Sequence, residues 1–310
     1  MCWKDTSLGG FRVTTAHLCC CDLSGDALSS RELVREAAGR LAAAGVGSPE
    51  YDAAELLAHV LGTSRAQLFR EQAPSADQQA EFAALVERRA AREPLQHLTG
   101  LAAFRYVELA VGPGVFVPRP ETELLAGWGV DAARAVLKTG RNPVVVDLCT
   151  GSGAIALAIA HEVPDAQVHA VELGEDAYVW AERNLAGTGV DLRQGDMADA
   201  FADLDGTVDV VVCNPPYIPL EAFESVAPEA RDFDPALSLW SGQDGLDAIR
   251  ALEAVAARLL RPGGVQGVEH ADVQGESAQA VFACAGRWAD IRDNTDLAGR
   301  SRFVTAKLAR

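Results

Sequence analysis

Two hydrophobic periodicities divide this chain. Up to residue 92, apolar positions recur three and four apart: Leu33, Val34, Ala37 and Leu41, then Ala53, Leu56, Leu57 and Val60, then Phe82, Leu85 and Val86. That spacing gives helices with one apolar stripe each. Ser29-Ser30-Arg31-Glu32 reads as a capping box with Gly45 as the stop. Ser48-Pro49 opens a second helix that ends at Gly62, Ser64 caps a short one through Phe69, and Ser75 with Gln78 caps a longer one ending before Pro94. These helices predict a small bundle over residues 28–92. Residues 93–118 predict a linker with a short hairpin, Ala103–Tyr106 and Val107–Val111, turning out through Gly112-Pro113-Gly114. Pro120 then opens a helix with Glu121 and Glu123 in its first turn, where the helix dipole favours carboxylates.

From residue 143 the pattern changes to short apolar runs separated by helix-length segments. Strands are expected at 144–147, 168–171, 190–193, 208–212 and, after Arg261-Pro262-Gly263-Gly264, at 264–268. Such alternation means a mainly parallel sheet with ligands at the strand carboxyl ends. Trp288–Arg292 and Arg302–Thr305 are expected as an antiparallel pair at the sheet edge. The fold class is therefore α/β, a Rossmann-like sheet over residues 119–310 preceded by the helical bundle.

The strand ends carry the chemistry. The run Val208–Cys213 closes on Asn214-Pro215-Pro216-Tyr217. Each proline fixes φ and lacks an N–H, so the local carbonyls and the Asn214 oxygen form an acceptor-rich pocket beside the Tyr217 ring. Pro-Pro after a strand can be no more than a rigid turn. As a pocket it suits a flat, neutral NH2 group, either the side-chain amide of glutamine or the exocyclic amine of adenine. Upstream, Val144–Leu148 runs into Cys149-Thr150-Gly151-Ser152-Gly153 and a helix-like stretch from Ala154 to His161. Glycines in such a turn let the backbone approach a ligand. A dehydrogenase turn would continue G-x-G-x-x-G, whereas Ala154-Ile155-Ala156 follows Gly153 here. Glu172, 25 positions after Asp147, ends the next strand and can accept both hydroxyls of a ribose. Asp196 and Met197 end the third, where they can hold an adenine.

In this order the motifs D-x-x-T-G-S-G-A-I-A, V-E, G-D and N-P-P-Y-I resemble the HemK/PrmC methyltransferases. The likeness extends to Arg92–Gly100, Phe116–Glu123, Glu269-His270 and Asp296–Val304, and covers roughly residues 30 to 310. It implies an S-adenosylmethionine-dependent methyltransferase, without a metal, acting on the side-chain nitrogen (N5) of a glutamine. That glutamine is the one in the Gly-Gly-Gln motif of class 1 peptide chain release factors, so the activity supports translation termination. Asn214, Pro215 and Tyr217 are then catalytic, with Pro216 completing the substrate pocket. The resemblance assigns Asp147, Cys149, Thr150, Gly151, Ser152, Gly153, Glu172, Asp196, Met197 and Asn214 to the cosubstrate site. It also implies that the bundle contacts the substrate, although packing alone would equally explain it, and that Phe116–Glu123 approaches the reacting centre. Two positions depart from the family pattern: Cys149 replaces the first glycine of the turn, and Met197 replaces an aromatic residue, so a thioether would pack the adenine.

Charge bears on the partner. Lys and Arg number 27 against 44 Asp and Glu, a formal net charge of −17. A grip on nucleic-acid phosphates requires a basic surface, so no stable nucleic-acid complex is expected. The rival reading, adenine N6 methylation of DNA or RNA through the same pocket, would also require taking the base out of its stack. A third reading, a non-catalytic binding module, is opposed by the intact Asp147, Gly151, Gly153 and Asn-Pro-Pro-Tyr residues. Four of the seven cysteines lie within the first 21 residues. Cys149, Cys213 and Cys284 sit in apolar contexts and are expected as small core residues, and no spacing matches a zinc site. No run approaches a membrane span, and residues 1–27 lack a signal-peptide layout. Those residues are expected to be a disordered extension, and the compartment to be the cytoplasm.

Overall fold

Capping chemistry sets the first helices. In the computed structural model, which describes residues 28–70 and 73–309, α1 (Ser30–Ala43) starts at Ser29, with the reciprocal Ser29–Glu32 hydrogen bonds of a capping box. Helix α2 (Pro49–Leu61) carries Pro49 in its first turn and stops at Gly62, φ 62. Helix α3 (Ala76–Ala90) opens with a second capping box, Ser75 and Gln78. Their stripes meet around Leu41, Leu56, Leu57 and Phe82. The expected helix from Ser64 is instead a single 3₁₀ turn, Leu68–Arg70, because only Leu68 of that stretch is buried. The expectation for residues 1–27, Cys19 to Cys21 included, lies outside the described residues.

Residues 93–118 contain a helix where only a linker and hairpin were expected: α4 (Leu95–Thr99) buries Leu95 and Leu98 and ends at Gly100, φ 76. The hairpin is β1 (Leu101–Phe104) with β2 (Val107–Ala110). Arg105 and Tyr106, expected as strand, form the turn. Arg105 takes φ 51 there, anchored by guanidinium bonds to Glu162 at 2.6 and 3.0 Å. Helix α5 (Thr122–Leu137) begins two residues after Pro120.

The alternating part follows as β3 (Val144–Leu148), α6 (Ala154–Glu162), β4 (Gln167–Glu172), α7 (Glu175–Leu185), β5 (Asp191–Gln194), β6 (Val208–Cys213), α8 (Pro228–Phe233), α9 (Asp247–Leu259), β7 (Leu260–Glu269), α10 (Gly275–Ala285), β8 (Trp288–Thr295) and β9 (Ser301–Leu308). The sheet order is β5-β4-β3-β6-β7-β9-β8. The first five of these are parallel, and β9 runs antiparallel to both neighbours. This is the α/β fold expected from the sequence, and the expected antiparallel pair is present at the sheet edge as β9 and the outermost β8. Strand β7 starts before Gly264: Leu260 pairs with Val208 and Val265 with Val210, so Arg261–Gly264 bulges out of the ladder. Pro262 has no N–H to give that ladder, and Gly263 takes φ 83.

Alternate residues of each buried strand face opposite sides. Val145 and Val210 meet α5 and α6 through Leu125 and Ile159, while Val146 and Val211 meet α9 and α10 through Leu252 and Phe282. Cys213 is buried, Cys149 half-buried and Cys284 exposed. Cys284 therefore is not a core residue; α10 turns Ala278 and Phe282 inward and Cys284 outward. Strand order reverses at β3, which opens a crevice at the carboxyl ends of β3 and β6.

Candidate active site

That crevice is a cavity of ≈ 730 Å³. The turn after β3 contributes Cys149, Thr150, Gly151 and Ser152 to its wall; the ends of β4 and β5 contribute Glu172, Asp196 and Met197; the end of β6 contributes Asn214, Pro216 and Tyr217. Asp147, Gly153 and Pro215, also expected in the site, do not line it. Asp147 is buried beneath the turn, where Oδ2 accepts from Thr150 Oγ1 at 2.6 Å and from the Ala156 amide at 3.1 Å. Burial pushes its pKa up to about 7, against the pull of those two hydrogen bonds. Its role is to tie the turn to α6. Gly153 caps α6 at φ 85, and a Cβ there would meet the Leu185 side chain of α7 at 3.1 Å. Pro215 is buried.

The turn is held from outside as well. Asn184 on α7 donates to the carbonyls of Ser152 and Ala110, both at 2.9 Å, and accepts from Ala110 N at 2.8 Å. One amide thus joins the turn to the hairpin. Cys149 takes φ 59, the left-handed region that favours glycine, and its Sγ lies 3.8 Å from Met197 Sδ.

Glu172 is buried, and each carboxylate oxygen accepts one backbone amide: Oε1 from Gly174 at 2.7 Å, Oε2 from Gly151 at 2.8 Å. Burial raises its pKa and these amides lower it. Each oxygen keeps further acceptor capacity for a hydroxyl. Glu175, Asp176 and Asp196 also line the cavity, so the site is electronegative and suits a cationic ligand. This donor set fits S-adenosylmethionine: acceptors for ribose hydroxyls, a Cβ-poor turn, a thioether for a flat ring and anionic walls for a sulfonium. Among the described residues no group of three or more His, Cys, Asp or Glu side chains is placed to hold a metal ion.

At the other end of the cavity, Asn214 Nδ2 donates to Thr122 Oγ1 at 3.2 Å, which leaves Oδ1 as the free acceptor. The Tyr217 hydroxyl donates to Glu269 Oε1 at 3.2 Å. Glu269 closes β7 and is 1% exposed. Burial pushes its pKa up to about 7, with Thr122, Tyr217 and Arg302 holding it down. Phe116, Pro118 and Thr122 also line the wall. The Arg119 guanidinium lies 4.9 Å from the Phe116 ring centroid and is fixed by Asp234 at 2.6 Å.

Known proteins resemble this chain in sequence and in fold. The family described as "PrmC N-terminal domain" matches residues 32–100, and "Methyltransferase small domain" matches residues 129–227. The release factor glutamine methyltransferase of Streptomyces coelicolor is 60% identical over 276 residues, which span 89% of this chain and 97% of that protein. The chain belongs to the release factor glutamine methyltransferase family. The family member from Mycolicibacterium smegmatis is 47% identical over 278 residues, covering 89% of this chain and 96% of that protein. Fold likeness reaches the solved hMettl16 catalytic domain in complex with MAT2A 3'UTR hairpin 6, at a TM-score of 0.52 and 13% identity over 74% of this chain and 81% of that one.

Sequence reasoning gave no role to Thr122, which lines the cavity, or to Glu269, which is buried behind the Tyr217 hydroxyl and does not line it. Both stood in stretches singled out only by resemblance. One physical signal was present, since Glu269 ends the apolar strand Val265–Val268 at the carboxyl edge where ligands gather.

Proposed function

We propose that this chain methylates N5 of the glutamine in the Gly-Gly-Gln motif of class 1 peptide chain release factors, with Asn214 Oδ1 and the Pro215 carbonyl accepting the two N–H bonds of the substrate amide. The observation that carries this reading is the Asn214 Nδ2–Thr122 hydrogen bond, which turns the Asn214 oxygen into an acceptor for an NH2 group. When bound, S-adenosylmethionine supplies an electrophilic methyl on its sulfonium. An amide nitrogen is a poor nucleophile because its lone pair is delocalised. Fixing both of its protons in acceptors orients that nitrogen, and alignment can contribute on the order of 7–11 kcal/mol at its best. A glutamate in the same place would set oxygen against oxygen and leave the pocket's acceptors unpaired. The motif contains no His or Lys, and no general base is assigned to it.

Glu172 binds the ribose hydroxyls, Asp196 and Met197 the adenine, and Thr150 to Ser152 pass close to the bound molecule. Residues 28–92 form the domain that meets the release factor body. The charge of −17 favours this protein partner over a nucleic acid, and the cytoplasm is the matching compartment. Among the described residues no helix is long and apolar enough to cross a membrane.

Intact and peptide mass spectrometry of a release factor incubated with this protein and S-adenosylmethionine tests the reading. One added methyl on the Gly-Gly-Gln glutamine is expected. Asn214→Ala should abolish it while cosubstrate affinity stays within a few-fold, and Glu172→Ala should weaken cosubstrate binding strongly. No added mass despite measured cosubstrate binding would move the assignment to a nucleic-acid adenine or another protein amide.

A further inference from the structure

We infer that Gln274 is a positioning residue for the acceptor pocket: its side-chain amide holds the Tyr217 carbonyl and thereby sets the direction of the Pro215 carbonyl. The inference rests on the glutamine pocket proposed above. Upstream of the motif, Cys213 is fixed in the ladder between Leu148 and Val268. Pro215 and Pro216 then bring no N–H of their own. Their φ angles are locked, yet ψ, which turns the Pro215 carbonyl, depends on what grips the chain beyond them.

The grip comes from the residues that follow β7. Gln274 ends the 3₁₀ turn Asp272–Gln274 and is 5% exposed. Its Nε2 donates to the Tyr217 carbonyl at 3.0 Å and to the Asp244 carbonyl at 3.2 Å, which uses both of its protons. Its Oε1 accepts from the Ala271 amide at 2.9 Å. That third bond fixes which way the side chain faces. Turned over, it would set oxygen against two carbonyls and N–H against N–H. The Tyr217 hydroxyl reaches Glu269, the last residue of β7, at 3.2 Å. Residues at and just beyond one strand end therefore hold Tyr217 at its ring and at its main chain.

Gln274 also closes a loop. Tyr217 and Asp244 stand near the two ends of the segment between β6 and α9, whose middle residues Phe233, Pro235 and Leu237 wall the cavity. The two ends run together: Ile218 N–H donates to the Leu239 carbonyl at 2.8 Å, and Leu220 N–H to the Gly242 carbonyl at 3.1 Å. Gly245 completes the fit at φ 76, where a Cβ would overlap the Tyr217 carbonyl oxygen and lie 2.6 Å from Gln274 Nε2. The Tyr217 carbonyl thus sits between an amide that holds it and a glycine that leaves it room.

Steady-state kinetics of the full chain with purified release factor and S-adenosylmethionine, with calorimetric titration of the cosubstrate, tests the role. Gln274→Glu keeps the length and the acceptor for Ala271 but loses both donors. Its kcat should fall on the order of 100-fold, the cost of a misplaced reacting group. KM for the release factor and cosubstrate affinity should stay within about threefold. Gly245→Ala pushes the same carbonyl with Gln274 intact and should give the same split. Gln274→Met takes the place of the glutamate variant if that variant does not fold. A role confined to stability would lower the melting midpoint and leave the kcat of the folded protein at its wild-type value. That result in Gln274→Glu or Gln274→Met would overturn the positioning role, as would a loss of cosubstrate affinity as large as the loss of kcat. A wild-type protein that binds S-adenosylmethionine yet leaves the release factor unmethylated would overturn the substrate reading, and the positioning role with it.

Discussion

Cys149 sits at φ 59 within the cosubstrate turn, and a non-glycine residue held there costs on the order of 1 kcal/mol or more. Its thiol lies 3.8 Å from Met197 Sδ, so the two departures from the family pattern touch each other. Cysteine has a single γ atom and tolerates the left-handed region better than a β-branched residue does. Cys149→Gly relieves the strain but frees the unfolded chain, and the two effects should leave the melting midpoint nearly unchanged. Cys149→Val should lose about 2 kcal/mol and bind S-adenosylmethionine more weakly. Thermal unfolding of both variants, with calorimetric titration of the cosubstrate, checks this. A valine variant as stable as the wild type would show that the turn carries no such strain.

At the scale of elements, the seat of α5 on the sheet is set by a glycine. Gly267 of β7 faces α5 so closely that a Cβ would lie 2.6 Å from the Trp128 ring and 2.8 Å from Leu125. Gly267→Ala therefore should cost about 1–3 kcal/mol by overpacking. It should also lower kcat, because lifting α5 moves Thr122 away from Asn214. Denaturant unfolding and methyl-transfer assays on the same variant test both halves, and a destabilised protein with unchanged kcat would separate the α5 seat from catalysis. The sequence pattern revealed β3, β4 and β6 because they carry apolar residues that are mostly buried, with β6 buried throughout. It brought Glu172, Asp196 and Asn214 to the strand ends because parallel strands deliver their carboxyl ends to one edge. What escaped it depended on distant partners. The turn at Arg105-Tyr106 is fixed by Glu162 on α6, and the start of β7 by pairing with Val208 across a bulge. Helix α4 is too short to show a period. Thr122 was invisible as a site residue for the same reason: its partner Asn214 is 92 positions away.

Across the whole molecule, one short helix connects the bundle, the hairpin region and the pocket. Glu229, in the first turn of α8, accepts from Arg92 at 2.6 and 2.7 Å and from Arg89 at 2.9 Å. Arg89 in turn reaches Asp52 of α2 at 2.7 Å. At the other end of α8, Asp234 holds Arg119, which lies three residues before Thr122. The segment that follows Asn-Pro-Pro-Tyr is thus clamped to the helical bundle on one side and to the approach of α5 on the other. Burial would raise the pKa of Glu229, yet Arg92 and Arg89 hold it down to about 2. A depressed carboxylate stabilises the folded state above its unfolded pKa, and that contribution is lost as pH falls through the folded value. The clamp should therefore be complete at neutral pH and weaken from about pH 4.5 toward pH 2, by about 1 kcal/mol after solvent screening. Glu229→Gln removes the charge at every pH. It should raise KM for the release factor, because the bundle loses its fixed orientation, while cosubstrate affinity holds. Its stability should also fall less steeply than that of the wild type over the acid range. Parallel acid-unfolding curves and release-factor kinetics check the two effects. An unchanged KM in a folded Glu229→Gln protein would mean that the bundle keeps its orientation through the apolar packing of α4 alone.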